Sequence, residues 1–196
     1  SCSSSAAYPI DLQKENDYVL LKENDINFDK NIGMPDMSYG WAKLTHEYLG
    51  RLAHERHGMN VVVYRPFSGY GIDQDDTYPF PSICKRVLEN QGKEVINVWG
   101  TGRQLRDFIH IDDCVYGVVN TMDKITNGDA INLSTGKYTS FIEFVKIAAN
   151  SIGYDPEVEG LSKKPSGVFA RGGDVKKQKE LGFDNKINFN TGIKKA

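Results

Sequence analysis

The chain has 196 residues, with 24 Lys and Arg against 26 Asp and Glu for a formal net charge of -2, and is 39% hydrophobic and 26% charged. That is the composition of a globular domain able to bury a core without a metal or disulfide staple. The basic clusters, Lys163-Lys164 and Lys176-Lys177-Gln178-Lys179, are too short for nucleic-acid binding by bulk electrostatics, and no apolar run reaches the ~18 residues of a membrane span.

Cys2, Cys84 and Cys114 are odd in number and widely spaced, which gives neither a disulfide framework nor a zinc pattern and fits a reducing, cytoplasmic setting. The first residue is Ser, and Ser1 to Tyr8 opens directly as the end of a buried strand that Pro9 stops, so the chain reads as a fragment of a longer protein. Asp11 to Met34, rich in Asn, Asp, Lys and Glu, reads as a long surface excursion of the kind that usually carries function.

A helix is predicted from Asp36, its N-cap, to the stop at Gly58, with Met37, Trp41, Leu44, Tyr48, Leu49, Leu52 and Ala53 at helical spacing. Val61-Val62-Val63-Tyr64 is a β-branched run suited to a strand covered on both faces, closed by Arg65-Pro66. A shorter helix follows at Pro81 to Asn90, then strand Val95 to Trp99 ending in the Gly100-Thr101-Gly102 turn. Beyond it come Phe108 to Ile111, a helix from Asp112 to about Asp123, and strand Ala130 to Leu133, which absorbs the sequon at Asn132. Ser140 to Ile152 is an amphipathic helix opened by a Ser140/Glu143 capping box, and one short helix is expected near Val175 to Leu181. Alternating strands and helices predict an α/β fold with parallel strands joined by helical crossovers.

Two Tyr-x-x-x-Lys pairs occur. Tyr18/Lys22 lies in a short apolar run without helical period, whereas Tyr39/Lys43 sits in the first turns of the long helix, where residues four apart share a side. At 100° per residue the pair falls opposite the stripe of Trp41, Leu44 and Tyr48, which sets it apart from core filler. A phenol beside a cation is suited to general acid/base work, because the cation favours phenolate. A hydroxyl such as Ser4, at the end of a strand facing the helix, would orient a substrate oxygen. Tyr8, Tyr70 and Tyr78 are candidates to line a pocket or to fill core edges, His110 reads as packed, and His54 and His57, with Glu47 and Glu55, read as a solvated helix face rather than a metal site. Cys114 begins a helix, a position that lowers a thiol's pKa, but Asp112 and Asp113 oppose it.

Five motifs then occur in order: Ser-Ser-Ser-Ala-Ala-Tyr-Pro at 3 to 9, Tyr-Gly-Trp-Ala-Lys at 39 to 43, Arg-Pro-Phe-Ser-Gly-Tyr-Gly at 65 to 71, Trp-Gly-Thr-Gly-Arg-Gln-Leu-Arg-Asp-Phe-Ile-His-Ile-Asp-Asp at 99 to 113 and Arg-Gly-Gly-Asp at 171 to 174. Together they resemble the nucleotide-sugar epimerase/dehydratase branch of the extended short-chain dehydrogenase/reductase family.

The resemblance implies the C-terminal part of a Rossmann-like doubly wound parallel sheet, with residues 1–76 as the catalytic part and 77–196 as a small α+β substrate-binding region interleaved with the remaining sheet. It implies Ser4, Tyr39 and Lys43 as the catalytic triad, with Tyr39 and Lys43 also holding the nicotinamide ribose of NAD (or NADP) and Pro66 and Phe67 beside the nicotinamide. Arg106 and Arg171 match diphosphate ligands, a role a guanidinium fork suits. Ser68 stands where an Asn often helps hold the diphosphate, Asp174 matches an acid near the nucleotide ribose, and Trp99 lies where the base is held. The implied activity is NAD-dependent epimerisation of a nucleotide-diphosphate sugar through a transient keto-sugar, with a possible homodimer through the Tyr helix.

The departures are specific. Ala6 replaces the Glu of related dehydratases and decarboxylases, which favours epimerisation. Tyr8-Pro9 is similar to GDP-sugar enzymes, but Ala6 replaces their Cys. No Gly-x-x-Gly-x-x-Gly or Gly-x-Gly-x-x-Gly exists in the chain, so the main cofactor-binding segment is expected to be missing and the fragment to be inactive alone. A dehydratase or reductase, or a non-catalytic truncated binding module, are the alternatives.

Overall fold

The structure, a computed structural model, describes residues 1–163 and 167–196. Lys164 of the first basic cluster lies outside them.

Ser1 to Ser3 run as a short extended segment: Cys2 pairs in parallel with Tyr64, and Ser3 N–H donates to the Tyr64 carbonyl at 2.7 Å. Ser4 then caps a 3-10 turn over Ser5–Ala7. The excursion that follows is more built than its polar composition suggests. It holds further 3-10 turns at Ile10–Leu12 and Glu23–Asp25 and a small antiparallel ladder, β1 (Gln13–Lys14) with β2 (Asp17–Tyr18). Leu21 and Ile26, isolated apolar residues in the sequence, are buried and anchor it against Ala7, Tyr8 and Leu44.

Helix α1 runs Met37–His57 and ends at Gly58, whose φ of 64° is the left-handed stop that glycine allows. Its buried residues are Gly40, Leu44 and Glu47, while Trp41 and Tyr48 are each 43% exposed. The apolar stripe expected at Trp41, Leu44 and Tyr48 is therefore corrected to a face that shares only Leu44 with it. Glu47 takes an inward position because a buried arginine awaits it there.

Strand β3 (Val61–Pro66) is followed by β4 (Ser68–Tyr70), α2 (Pro79–Glu89), β5 (Val95–Trp99), β6 (Leu105–Arg106), β7 (Phe108–His110) and α3 (Ile111–Thr121). Then come β8 (Asn127–Leu133), β9 (Thr139–Ser140), α4 (Phe141–Ser151), β10 (Glu157–Leu161), β11 (Ala170–Arg171), α5 (Lys176–Glu180) and α6 (Phe189–Gly192). β3 pairs in parallel with β8, β4 with β7 and β5 with β10, as an α/β fold requires. β6 lies between β11, parallel, and β9, antiparallel.

Alternation along β3 divides the two faces. Tyr64 points toward α3, where its hydroxyl donates to the Val118 carbonyl at 3.2 Å. Arg65 points toward α1, and its side chain is 4% exposed. A second core, of Phe80, Ile83, Val98, Phe108, Phe144 and Val145 among others, joins α2, α4, β5 and β7. Tyr70, a candidate pocket residue in the sequence, is 2% exposed here, packed edge-on against Phe108 and Phe189. Tyr8 is likewise fully buried, so neither lines a surface pocket; Tyr78 is exposed at the start of α2. His110 is buried, and its Nδ1 accepts from Asp112 N–H at 3.1 Å to cap α3. No helix among the described residues is long and apolar enough to cross a membrane.

Candidate active site

Gly40 fixes how α1 meets the strand end. Any Cβ at this position would drive into the Ala6 carbonyl oxygen, and that oxygen also accepts from Asp36 N–H at 2.9 Å. With the helix seated this closely, Lys43 Nζ reaches the Cys2 carbonyl at 3.0 Å and lies 5.6 Å from the Tyr39 ring centroid. Ser4 lies between these two anchor points, half-buried, its Oγ accepting from Ala6 N–H at 3.2 Å. The three residues singled out from the sequence are thus held at one strand end. Tyr39 is 57% exposed and its hydroxyl makes no hydrogen bond among the described residues.

A buried polar network holds this arrangement from behind. Arg65 donates to both oxygens of Glu47, at 3.0 Å and 3.2 Å from Nε and 2.6 Å from Nη2, and to the Tyr8 hydroxyl at 3.0 Å. Ser3 Oγ donates to Glu47, and Tyr8 donates onward to Asn132 Oδ1 at 2.6 Å. Burial pushes the Tyr8 phenol far above its ordinary range, so it acts as a neutral link. The network ties α1, the Ser4 strand, β3 and β8 into one frame.

The second half of the site is a cleft of about 510 Å³, lined by Trp99 and Arg106 together with Phe141, Arg86, Asp76 and Thr77. Arg106 and Arg171 are register partners across the parallel β6/β11 ladder, so their side chains leave it on the same face. Burial and, next, the Arg171 charge push the Arg106 guanidinium down to about 10. Its fork rests on the Leu105 and Val168 carbonyls, at 2.8 Å and 3.0 Å, and the guanidinium carbon stands 5.4 Å from the Phe141 ring centroid. Two adjacent guanidinium groups with Asp36 as the nearby acid are suited to an anion with several oxygens. Arg171 Nη2 donates to Asp36 at 2.7 Å, and Asp36 is the residue before α1. Trp99, Arg106, Arg171, Asp36 and Tyr39 therefore follow one another from the cleft to the strand end.

Other residues named from the sequence stand differently. The Phe67 side chain is buried against Tyr8, ring centroids 6.0 Å apart, and its N–H donates to the Leu133 carbonyl at 3.0 Å; Pro66 ends β3 opposite Leu133. Ser68 starts β4 and is half-buried, its N–H donating to the Asp107 carbonyl at 3.0 Å. Asp174 accepts from Lys176 N–H at 2.8 Å at the start of α5, apart from the cleft lining. Burial, with Asp113 next, pushes the Cys114 thiol up to about 12, the opposite of an activated cysteine.

Sequence reasoning placed Glu47 on the solvated side of the helix, which the structure corrects: its side chain is 2% exposed because Arg65 pairs with it from β3. It passed over Asp36 as an ion-pair partner and Asp107. Asp107 is buried and accepts from Thr135 N–H and Gly136 N–H, both at 2.9 Å, from Thr135 Oγ1 at 2.6 Å and from Ser134 Oγ. A signal existed for Glu47, which lies at helical spacing from Gly40 and Leu44 on the inward face.

Residues 1–134 match the NAD dependent epimerase/dehydratase family. The chain belongs to that family. It is 27% identical over 163 residues, 79% of this chain and 49% of the relative, to the probable GDP-L-fucose synthase 1 of Oryza sativa subsp. japonica. The UDP-glucose 4-epimerase of Thermotoga maritima, solved with UDP-glucose, is 27% identical and superposes with a TM-score of 0.81 over 98% of this chain and 60% of its own. The UDP-glucuronic acid 4-epimerase of Bacillus cereus, solved with UDP-glucuronic acid and NAD, shares the fold at a TM-score of 0.79 and 23% identity over 99% of this chain and 58% of its own. The chain spans about half the length of the curated relatives it matches. Nucleotide-sugar epimerases, dehydratases and reductases all occur among the proteins it resembles.

Proposed function

We propose that this chain is the catalytic and substrate-holding part of an NAD-dependent enzyme that epimerises a nucleotide-diphosphate sugar. Residues 1–76 would carry the catalytic groups and 77–196 the substrate contacts. The observation that carries this reading is the Arg171–Asp36 pair. It joins a two-arginine anion site to the first turn of the helix that bears Tyr39, so that a sugar on a diphosphate held there would reach the Ser4, Tyr39 and Lys43 group.

The residues fit a nicotinamide cofactor. Lys43, half-buried and braced on the Cys2 carbonyl, and the Tyr39 hydroxyl, which makes no hydrogen bond among the described residues, offer polar groups to a ribose beside the strand end. NAD, when bound, supplies reversible hydride transfer at the sugar carbon. Tyr39 would take the proton of the sugar hydroxyl as that carbon is oxidised and return it after the transient keto-sugar has presented its other face. Ser4 would hold the same oxygen, and Lys43 would set a positive charge beside the phenol. Trp99 would pack on the base and Arg106 and Arg171 would grip the diphosphate, fixing the sugar's position while its ring turns.

Epimerisation is favoured over dehydration by position 6. Ala6 is 5% exposed beneath Gly40, so no carboxylate stands there to drive elimination. The test is kinetic, on the whole protein. Tyr39→Phe should lower turnover by ~10²-fold or more with nucleotide-sugar binding nearly intact, and Arg106→Ala should mainly raise KM. Unchanged turnover in Tyr39→Phe would remove the assignment, and an effect of Arg106→Ala on kcat alone would remove the diphosphate role.

A further inference from the structure

Arg171 is already held by side chains. Its Nε donates to Gln13 Oε1 and its Nη2 to Asp36 Oδ2, each at 2.7 Å, with the two ion-pair side chains 13% and 28% exposed. Asp36 occupies the N-cap of α1, where a carboxylate ordinarily accepts from the second or third helical N–H, here Ser38 or Tyr39. It makes no such bond, because the carboxylate is turned to Arg171. The helix start shows a second sign of being unfinished: Met37 has a φ of 54°, in the left-handed region that a side chain other than glycine's disfavours. The first α-helical bond, from Gly40 N–H to the Asp36 carbonyl at 2.8 Å, leaves the amides of residues 37–39 outside the helical pattern.

We propose that Asp36 is a positioning residue that couples diphosphate binding to the backbone of Tyr39. Without an anion it is the counter-ion of Arg171. A diphosphate arriving on Arg106 and Arg171 repels the carboxylate and offers Arg171 oxygens in its place. The released carboxylate turns to the Ser38 and Tyr39 amides, completes the cap and lets Met37 relax toward helical φ. Substrate arrival then firms the turn that carries the acid/base group. The coupling rests on the diphosphate reading of the arginine pair given above.

Inorganic pyrophosphate is the probe, titrated calorimetrically in metal-free buffer into this chain, into Asp36→Asn and into Asp155→Asn, an exposed acid that controls for net charge. Asp36→Asn should bind about five- to tenfold tighter because Arg171 no longer has a competing carboxylate, while Asp155→Asn stays within about twofold. Hydrogen exchange of residues 37–41 in the unmodified chain should slow at least severalfold on saturation with pyrophosphate, with no further slowing in Asp36→Asn. If the unmodified chain binds pyrophosphate but Asp36→Asn binds it no tighter, or exchange at 37–41 is unmoved, the coupling is wrong and the anion site stands. If neither binds, the diphosphate reading fails and takes the coupling with it.

Discussion

Glu47→Gln isolates the frame behind the strand end. The Glu47 and Arg65 side chains are 2% and 4% exposed and share three N–H···O contacts of 2.6 to 3.2 Å, so neutralising Glu47 leaves a buried guanidinium without its paired carboxylate, held by neutral acceptors such as the Tyr8 hydroxyl and the Glu23 carbonyl. Breaking a buried pair from one side costs about 3–5 kcal/mol, and the amide oxygen retained by Gln sets the expectation at the lower end, ~3 kcal/mol. For a chain of this size that lowers Tm by roughly 6–12 °C. Urea melts followed by tryptophan fluorescence and far-UV circular dichroism would measure it. The double variant Glu47→Leu/Arg65→Met removes both charges together and should recover to within ~2 kcal/mol of the parent, because the desolvation cost goes with the pair. A loss below ~1 kcal/mol in Glu47→Gln, or a double variant less stable than either single, would refute the network as the frame of the site.

Two further outcomes follow from the same geometry. Gly40→Ala sets a Cβ against the Ala6 carbonyl oxygen, so the helix start must withdraw; a stability loss of ~1–3 kcal/mol and weaker protection of the Lys43 region in hydrogen exchange are expected, and an unchanged melt would contradict the close approach. Burial raises the Glu23 carboxyl above its ordinary range despite the bond from Asn132 N–H, so the folded chain keeps a proton the unfolded chain has released. Its contribution to stability is full below the ordinary carboxylate pKa and declines as pH rises through the raised folded value; Glu23→Gln should flatten that part of the urea-midpoint profile, and an unaltered slope would show that Glu23 does not titrate differently on folding.

The elements with strong local signals were legible. The left-handed stop at Gly58, the β-branched run of β3 and the Ser140 cap, whose Oγ accepts from Glu143 N–H at 3.0 Å, each reflect a few adjacent residues. The two-residue strands β6, β9 and β11 were not, since their pairing depends on partners more than 30 residues apart and leaves no period to read. The face of α1 was misjudged because hydrophobic spacing cannot anticipate a buried Glu47, whose inward position is dictated by Arg65, 18 residues later. Tyr39, Lys43 and Ser4 were singled out by motif, and the placing of the Tyr39 and Lys43 helix turn against the Cys2 to Ala6 segment depends on the close seat of Gly40. The Arg171–Asp36 pair joins residues 135 apart in sequence and needed the fold to appear.

The most direct test of the central claim follows the hydrogen at the inverted carbon. The whole protein would be incubated in deuterium oxide with UDP- and GDP-sugars and the products read by NMR and mass spectrometry. Epimerisation through a transient keto-sugar predicts an epimer whose inverted carbon keeps the substrate's own hydrogen, and whose formation falls ~10²-fold in Tyr39→Phe. Solvent deuterium at that carbon, or an epimer formed undiminished by Tyr39→Phe, would contradict it.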